Sequence, residues 1–201
     1  MSQARLLAMA GLATLFFATL ATQAAGRQGL VVAPPRVVQP YKLIDQNTQE
    51  VLFPSGNGIW QLVVFGYTHC PDVCPMTLHK TTQLLKELGA ESARLHVVFI
   101  SIDSARDDTK AMMDFVGQFD ARIIGLTGEP ETLQAVANEF GVLTRRFQGK
   151  TALAYTMVHS SLLYLLDGEG RVQRMYPGGV GTDVLAADLQ RLWKADYAER
   201  K

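Results

Sequence analysis

The feature that most constrains this chain is an alternation of short apolar runs with helical stripes. Leu62-Val63-Val64-Phe65-Gly66, the stretch from Leu95 to Ile102, Ile123-Ile124-Gly125-Leu126 and Leu162-Leu163-Tyr164-Leu165-Leu166 are nearly unbroken apolar segments. Strands covered on both faces read this way, because neither face needs a polar residue. The last run ends in the turn Asp167-Gly168-Glu169-Gly170, and Arg171 to Tyr176 returns as its hairpin partner. Between the runs, apolar residues recur at helical spacing. Pro75 opens one such stretch with Leu78, Leu84, Leu85 and Leu88, and Gly89 ends it. Residues 108–119 place Met112, Phe115, Val116 and Phe119 on one face, and residues 130–140 do the same with Leu133, Val136, Ala137 and Phe140. Residues 182–194 close the chain with Val184, Leu185, Leu189, Leu192 and Trp193. Successive β–α–β units, then a hairpin and a last helix, predict an α/β fold: a mixed sheet flanked by helices on both faces.

At 201 residues the chain has room for one such domain and an appendage. The appendage is expected at 1–25, where Arg5 is the sole charge and an apolar run from Leu6 reaches Ala21-Thr22-Gln23-Ala24-Ala25. This pattern fits a cleaved export signal and also a retained hydrophobic helix, since ~17–25 apolar residues span a bilayer. Gly26 to Gln39, with Pro34, Pro35 and Pro40, reads as an extended linker over 26–40, leaving the domain at 41–201. The short prefix lacks the long Arg/Ser-rich character of an organelle transit peptide. The expected location is therefore the bacterial periplasm, with anchoring at the inner membrane if the segment is kept. Basic and acidic residues number 19 each, so no net charge points to nucleic acid as a partner.

Chemistry concentrates in Phe65-Gly66-Tyr67-Thr68-His69-Cys70-Pro71-Asp72-Val73-Cys74-Pro75, which joins the first buried strand to the first helix. These are the chain's only 2 cysteines, too few for a disulfide scaffold or a four-thiolate cluster. A helix N-terminus favours thiolate over thiol. One helical turn would bring both sulfurs to the same side, where they could pinch a metal ion or close into a disulfide. The plain alternative is a pair of small buried hydrophobes. Thioredoxin-like redox sites are the stronger competitor, although they usually have two intervening residues rather than three. Four histidines could add a ligand. His79 follows Leu78 on the helix and should face solvent, His96 lies inside a strand, and His69 adjoins Cys70 but points differently if that segment is extended. His159 stands where a loop meets the fourth apolar run. Two thiolates and an imidazole form a soft, three-coordinate set that selects Cu(I) over structural zinc.

The segment from Phe65 to Pro75 resembles the Sco/SenC family of copper proteins. Ser101-Ile102-Asp103-Ser104-Ala105-Arg106-Asp107-Asp108-Thr109, Gly125-Leu126-Thr127-Gly128 and His159-Ser160-Ser161-Leu162-Leu163-Tyr164-Leu165-Leu166-Asp167 are similar to further blocks of that family, in order, from about Tyr41 to Trp193. The resemblance implies a thioredoxin-like fold that binds copper, as Cu(I) or Cu(II), through Cys70, Cys74 and His159. It implies a metallochaperone that delivers copper to, or prepares, the dinuclear site on the copper-bearing subunit of cytochrome c oxidase. A copper donor or thiol–disulfide partner goes with that role. One departure is Val158, where family members often carry an acid before the histidine. Asp103 and Arg106 fit the pattern, and their simplest reading is a surface or loop-fixing ion pair. A thiol–disulfide oxidoreductase using the redox pair Cys70 and Cys74 is the competing function. A peroxidase is a weaker one, since Thr68 alone supplies the local setting that chemistry requires.

Overall fold

The computed structural model describes residues 29–151 and 154–199. The expected export or anchor segment at 1–25 therefore lies outside the described residues. Among those described, no helix is long and apolar enough to cross a membrane.

Among the described residues, ten strands and four helices follow one another: β1 (Leu30–Val37), β2 (Tyr41–Asp45), β3 (Glu50–Phe53), β4 (Trp60–Gly66), α1 (Val73–Glu87), β5 (Leu95–Ser101), α2 (Thr109–Val116), β6 (Ile123–Thr127), α3 (Pro130–Glu139), β7 (Thr144–Gln148), β8 (Tyr155–His159), β9 (Leu162–Leu166), β10 (Arg171–Pro177) and α4 (Thr182–Glu199). A 3-10 turn, Gly89–Arg94, follows α1, and Gly89 takes the left-handed conformation that ends it (φ 54°). Eight strands form one mixed sheet in the order β1-β10-β9-β4-β5-β6-β2-β3, while β7 and β8 pair apart from it. Its centre, β4-β5-β6, is parallel, and β9 joins β4 antiparallel.

Pleating explains why the central runs look continuous. Leu62 and Val64, Val97 and Phe99, Leu163 and Leu165 face one way, into a core shared with Leu78, Leu84 and Leu85 of α1 and Leu185, Leu189 and Trp193 of α4. Val63 and Phe65, Val98 and Ile100, Tyr164 and Leu166 face the other way, toward Leu133, Val136 and Ala137 of α3 and nearby Phe140. All seven residues of β4 are buried. Both sides of the sheet are thus sealed, as the alternation of runs and stripes predicts.

Three local differences from the sequence expectations have physical reasons. The stretch read as a linker contains β1, which pairs antiparallel with β10 as an edge strand. Its prolines cannot donate to a ladder, and the register shifts between Val31 and Arg36 to pass them. Helix α1 starts at Val73, so Pro75 is its third residue rather than its first. His159 ends a strand of its own, β8, instead of leading into β9.

The sheet also fixes where the chain enters. Leu30 of β1 is level with Met175 near the end of β10, and Pro177 is level with Leu162 at the start of β9. Leu163 in turn lies beside Val64, close to where β4 meets the cysteine loop.

Candidate metal and thiol centre

β4 delivers its carboxyl end, Gly66, to a turn in which the Cys70 N–H donates to the Tyr67 carbonyl (3.2 Å). The helix then begins without a side-chain cap from Asp72. The Cys70 sulfur takes that place, accepting from the Cys74 N–H at 3.5 Å. Burial raises the Cys70 thiol pKa, but the N–H groups of Asp72, Cys74 and Val73 and the Cys74 thiol outweigh it, and the net shift is downward. Cys74 points into the core and is 2% exposed. Burial dominates there, reinforced by the neighbouring Cys70 and Asp107 charges, and pushes its thiol far above the ordinary range despite a helping N–H from Tyr67. Both thiols are free.

Gly66 is needed for close approach. A Cβ at this position would sit 2.7 Å from Cys74 Sγ and 2.6 Å from the Phe99 ring. Gly66→Ala should therefore cost about 1–3 kcal/mol of stability through overpacking, read by denaturant unfolding. It should also displace the Cys74 sulfur.

His159 reaches the same place from β8. Its Nδ1 lies 3.0 Å from the Ser160 carbonyl and its Nε2 3.9 Å from Cys74 Sγ. The Nδ1–H bond to a carbonyl fixes the tautomer and leaves the Nε2 lone pair facing the sulfur. Burial, partly opposed by the Ser160 contact, lowers the imidazole pKa, so the ring is neutral and ready to donate electrons at neutral pH. With metal–sulfur and metal–nitrogen bonds of ~2.3 and ~2.0 Å, two ligands of one ion stand about 3.5–3.9 Å apart at angles of about 110–130°. The observed separation of 3.9 Å falls at the upper end. Cys74 and His159 line one cleft, and the Cys70 sulfur stands beside it, 3.5 Å from the Cys74 nitrogen. As placed, though, no group of three or more His, Cys, Asp or Glu among the described residues is gathered tightly enough to hold an ion. For the three side chains to share one ion, Cys70 or β8 would have to move inward by a small distance.

The other histidines stand elsewhere. His79 is exposed on α1, edge-on to Phe119 (5.0 Å). His96 lies near the start of β5, at the opposite end of the sheet from the cysteines. His69 is exposed, with Nδ1 3.0 Å from Thr68 Oγ1. Val158 is 55% exposed, on the opposite face of β8 from His159. The ring's orientation comes from the Ser160 carbonyl instead of from the preceding side chain.

A buried polar network underlies the cleft, and spacing in the sequence gave no sign of its reach. Asp107, fully buried, accepts from the Thr68 N–H (3.1 Å), Thr68 Oγ1 (2.7 Å) and Ser101 Oγ (2.7 Å), pinning the cysteine loop from below. Asp103 and Arg106 form an ion pair at 2.6 Å with side chains only 4% and 8% exposed. They do fix a loop, but inside the protein. Tyr155 of β8 donates its hydroxyl to Asp103. No local motif marks Tyr155. The only available signal was its place four residues before His159, on the same strand face.

Comparison with known proteins gives the arrangement a context. The SCO1/SenC family matches residues 32–194. A SCO2-like protein of Rickettsia conorii is 35% identical over 132 residues, covering 65% of this chain and 64% of its own length, so the chain spans less than two thirds of that relative. The solved structure of Bradyrhizobium japonicum ScoI with copper bound has 35% identity and a TM-score of 0.71, over 77% of this chain and 98% of that one. Arabidopsis thaliana ScoI with copper bound has 29% identity and a TM-score of 0.73, over 79% and 99%. The fold is accordingly thioredoxin-like. With residues 32–194, most of its length, matched by that model, this chain belongs to the SCO1/SenC family.

Proposed function

We propose that this chain is a copper carrier. It binds one copper ion through Cys70, Cys74 and His159, and hands it to, or prepares, the dinuclear copper site of cytochrome c oxidase. The observation that carries the reading is the His159 Nε2 lone pair facing the buried Cys74 sulfur at 3.9 Å. Relatives with 35% and 29% identity are described with copper bound, and a further structural neighbour is described as one of the Sco family of cytochrome c oxidase assembly proteins. Two thiolates and a neutral imidazole suit copper better than hard cations. Release follows by ligand exchange, an incoming thiolate replacing one of the three donors. The expected setting is the bacterial periplasm, with residues 1–25 as signal or inner-membrane anchor and the copper-binding domain beginning with β1 at Leu30 rather than at 41. Titrating the reduced protein with Cu(I) against a chelator of known affinity should give one copper per chain. Absence of stoichiometric binding removes the reading.

The unequal cysteines favour a second activity on the same residues, thiol–disulfide exchange. The Cys70 thiolate attacks a target disulfide and displaces one target sulfur as thiolate, forming a mixed disulfide. The Cys74 sulfur, losing its proton, then attacks Cys70, leaving a Cys70–Cys74 disulfide and a reduced target dithiol. Two electrons pass from the pair to the target. Iodoacetamide should label the reduced protein first at Cys70. Because its pKa is lowered, the rate should level off at a pH below that of an ordinary thiol, falling about tenfold per unit below that point. Peptide mass mapping showing equal labelling of both cysteines would contradict the assignment.

A further inference from the structure

We propose that Tyr155, Asp103 and Arg106 form a clamp that sets the position of His159, making them positioning residues of the copper site. The clamp deepens the copper-carrier reading and rests on it. Strand β8 pairs with β7 alone, and the pair is separate from the eight-stranded sheet. A two-stranded ribbon is marginal by itself. What holds β8 in register must therefore come from its inward face, which carries Tyr155, Met157 and His159.

Tyr155 is gripped through both side chain and main chain. Its hydroxyl donates to Asp103 Oδ1. Arg106 lies with its guanidinium carbon 3.5 Å from the centre of the Tyr155 ring and donates from Nη1 to the Tyr155 carbonyl at 3.0 Å. Asp103 Oδ2 accepts from Arg106 Nε at 2.6 Å and lies 2.6 Å from Nη2 as its ion-pair partner, so the two charges neutralise each other where water is excluded. From the hairpin's own side Arg146 covers the ring at 3.6 Å. A second tie runs through the same side chain: the Tyr67 ring lies 5.5 Å from the Arg106 guanidinium. Tyr67 opens the cysteine loop. One arginine thus aligns the histidine strand against the loop that carries the sulfurs. Four residue steps, about 13 Å of extended backbone, carry that alignment from Tyr155 to His159.

Tyr155→Phe in the full chain is the test, because it keeps the stacked ring and removes only the hydroxyl. In the reduced, metal-free protein, amide hydrogen exchange across Thr156 to His159 should accelerate about tenfold, while β4 and β5 stay protected. Copper affinity, measured by chelator competition, should fall about tenfold, and the nitrogen hyperfine pattern of the Cu(II) form should weaken. In a His159→Ala background the same substitution should leave copper affinity unchanged, since the clamp acts through that ring. Leu189→Ala, a cavity in the α1–α4 core, should lower Tm while leaving the β8 exchange and copper signals in place. Unaltered exchange and affinity in Tyr155→Phe would overturn the clamp, as would an equal loss without His159. A wild-type protein that binds no copper overturns the carrier reading instead, and the exchange arm still decides whether the clamp holds the strand.

Discussion

His159→Ala should lower the copper affinity of the reduced protein by more than about a hundredfold. Loss of groups that merely support a ligand already costs about 10–100-fold, so loss of the ligand has to exceed that. The fold should tolerate the change. The imidazole is half-buried at the end of a peripheral strand, and its sole described partners are the Ser160 carbonyl and the Cys74 sulfur. Disulfide exchange through Cys70 and Cys74 should persist, because that chemistry does not use the ring. Cu(I) competition titration beside a dithiol-exchange assay separates the two. Unchanged copper affinity would remove the three-ligand arrangement and leave a redox dithiol.

Asp103→Ala should be the most destabilising single change in the network, at about 3–5 kcal/mol, because it strips the counter-ion from a buried guanidinium. Arginine cannot shed its proton, so the charge stays. The Tyr155 carbonyl and the Tyr67 and Tyr155 rings compensate only in part. Arg106→Met should be milder. The remaining Asp103 carboxylate can take up a proton and keep its bond to Tyr155, and methionine fills much of the vacated volume. Chemical denaturation of the two variants should show that order. If Arg106→Met proves the worse of the two, the charge of Arg106 is doing less than its packing.

What could be seen in the sequence follows from where water is excluded. Strands β4, β5 and β9 are sealed on both faces, so their residues form apolar runs that no helix or loop imitates, and α1 to α4 show their stripes for the same reason. Edge elements carry no such pressure. β1 contains Pro34 and Pro35, and β2 and β3 place Lys42 and Glu50 at the surface as an exposed ion pair. Strands β7 and β8 are largely exposed on their outer face, so Arg145 and Arg146 interrupt any apolar pattern. The same distinction runs through the site. Cys70 and Cys74 lie close in sequence, and their loop is legible as a chemical centre. His159 reaches Cys74 across 85 positions, and Tyr155 reaches Asp103 across 52, contacts that only tertiary structure creates. Periodicity could not separate His159 from the other histidines, and only the family resemblance singled it out. Nor could it show that Val158 faces away from the ring, leaving a backbone carbonyl to steer it.

The doorway by which the polypeptide joins its sheet has a consequence for approach. Leu30 lies level with Met175, toward the rim where the sulfurs emerge, while His96 marks the far pole. The amino end of β1 thus lies in the pocket's own hemisphere of the sheet. A visitor to the cleft therefore arrives on the same rim of the sheet as Leu30, and a bulky group joined there should hinder it more than one joined near His96.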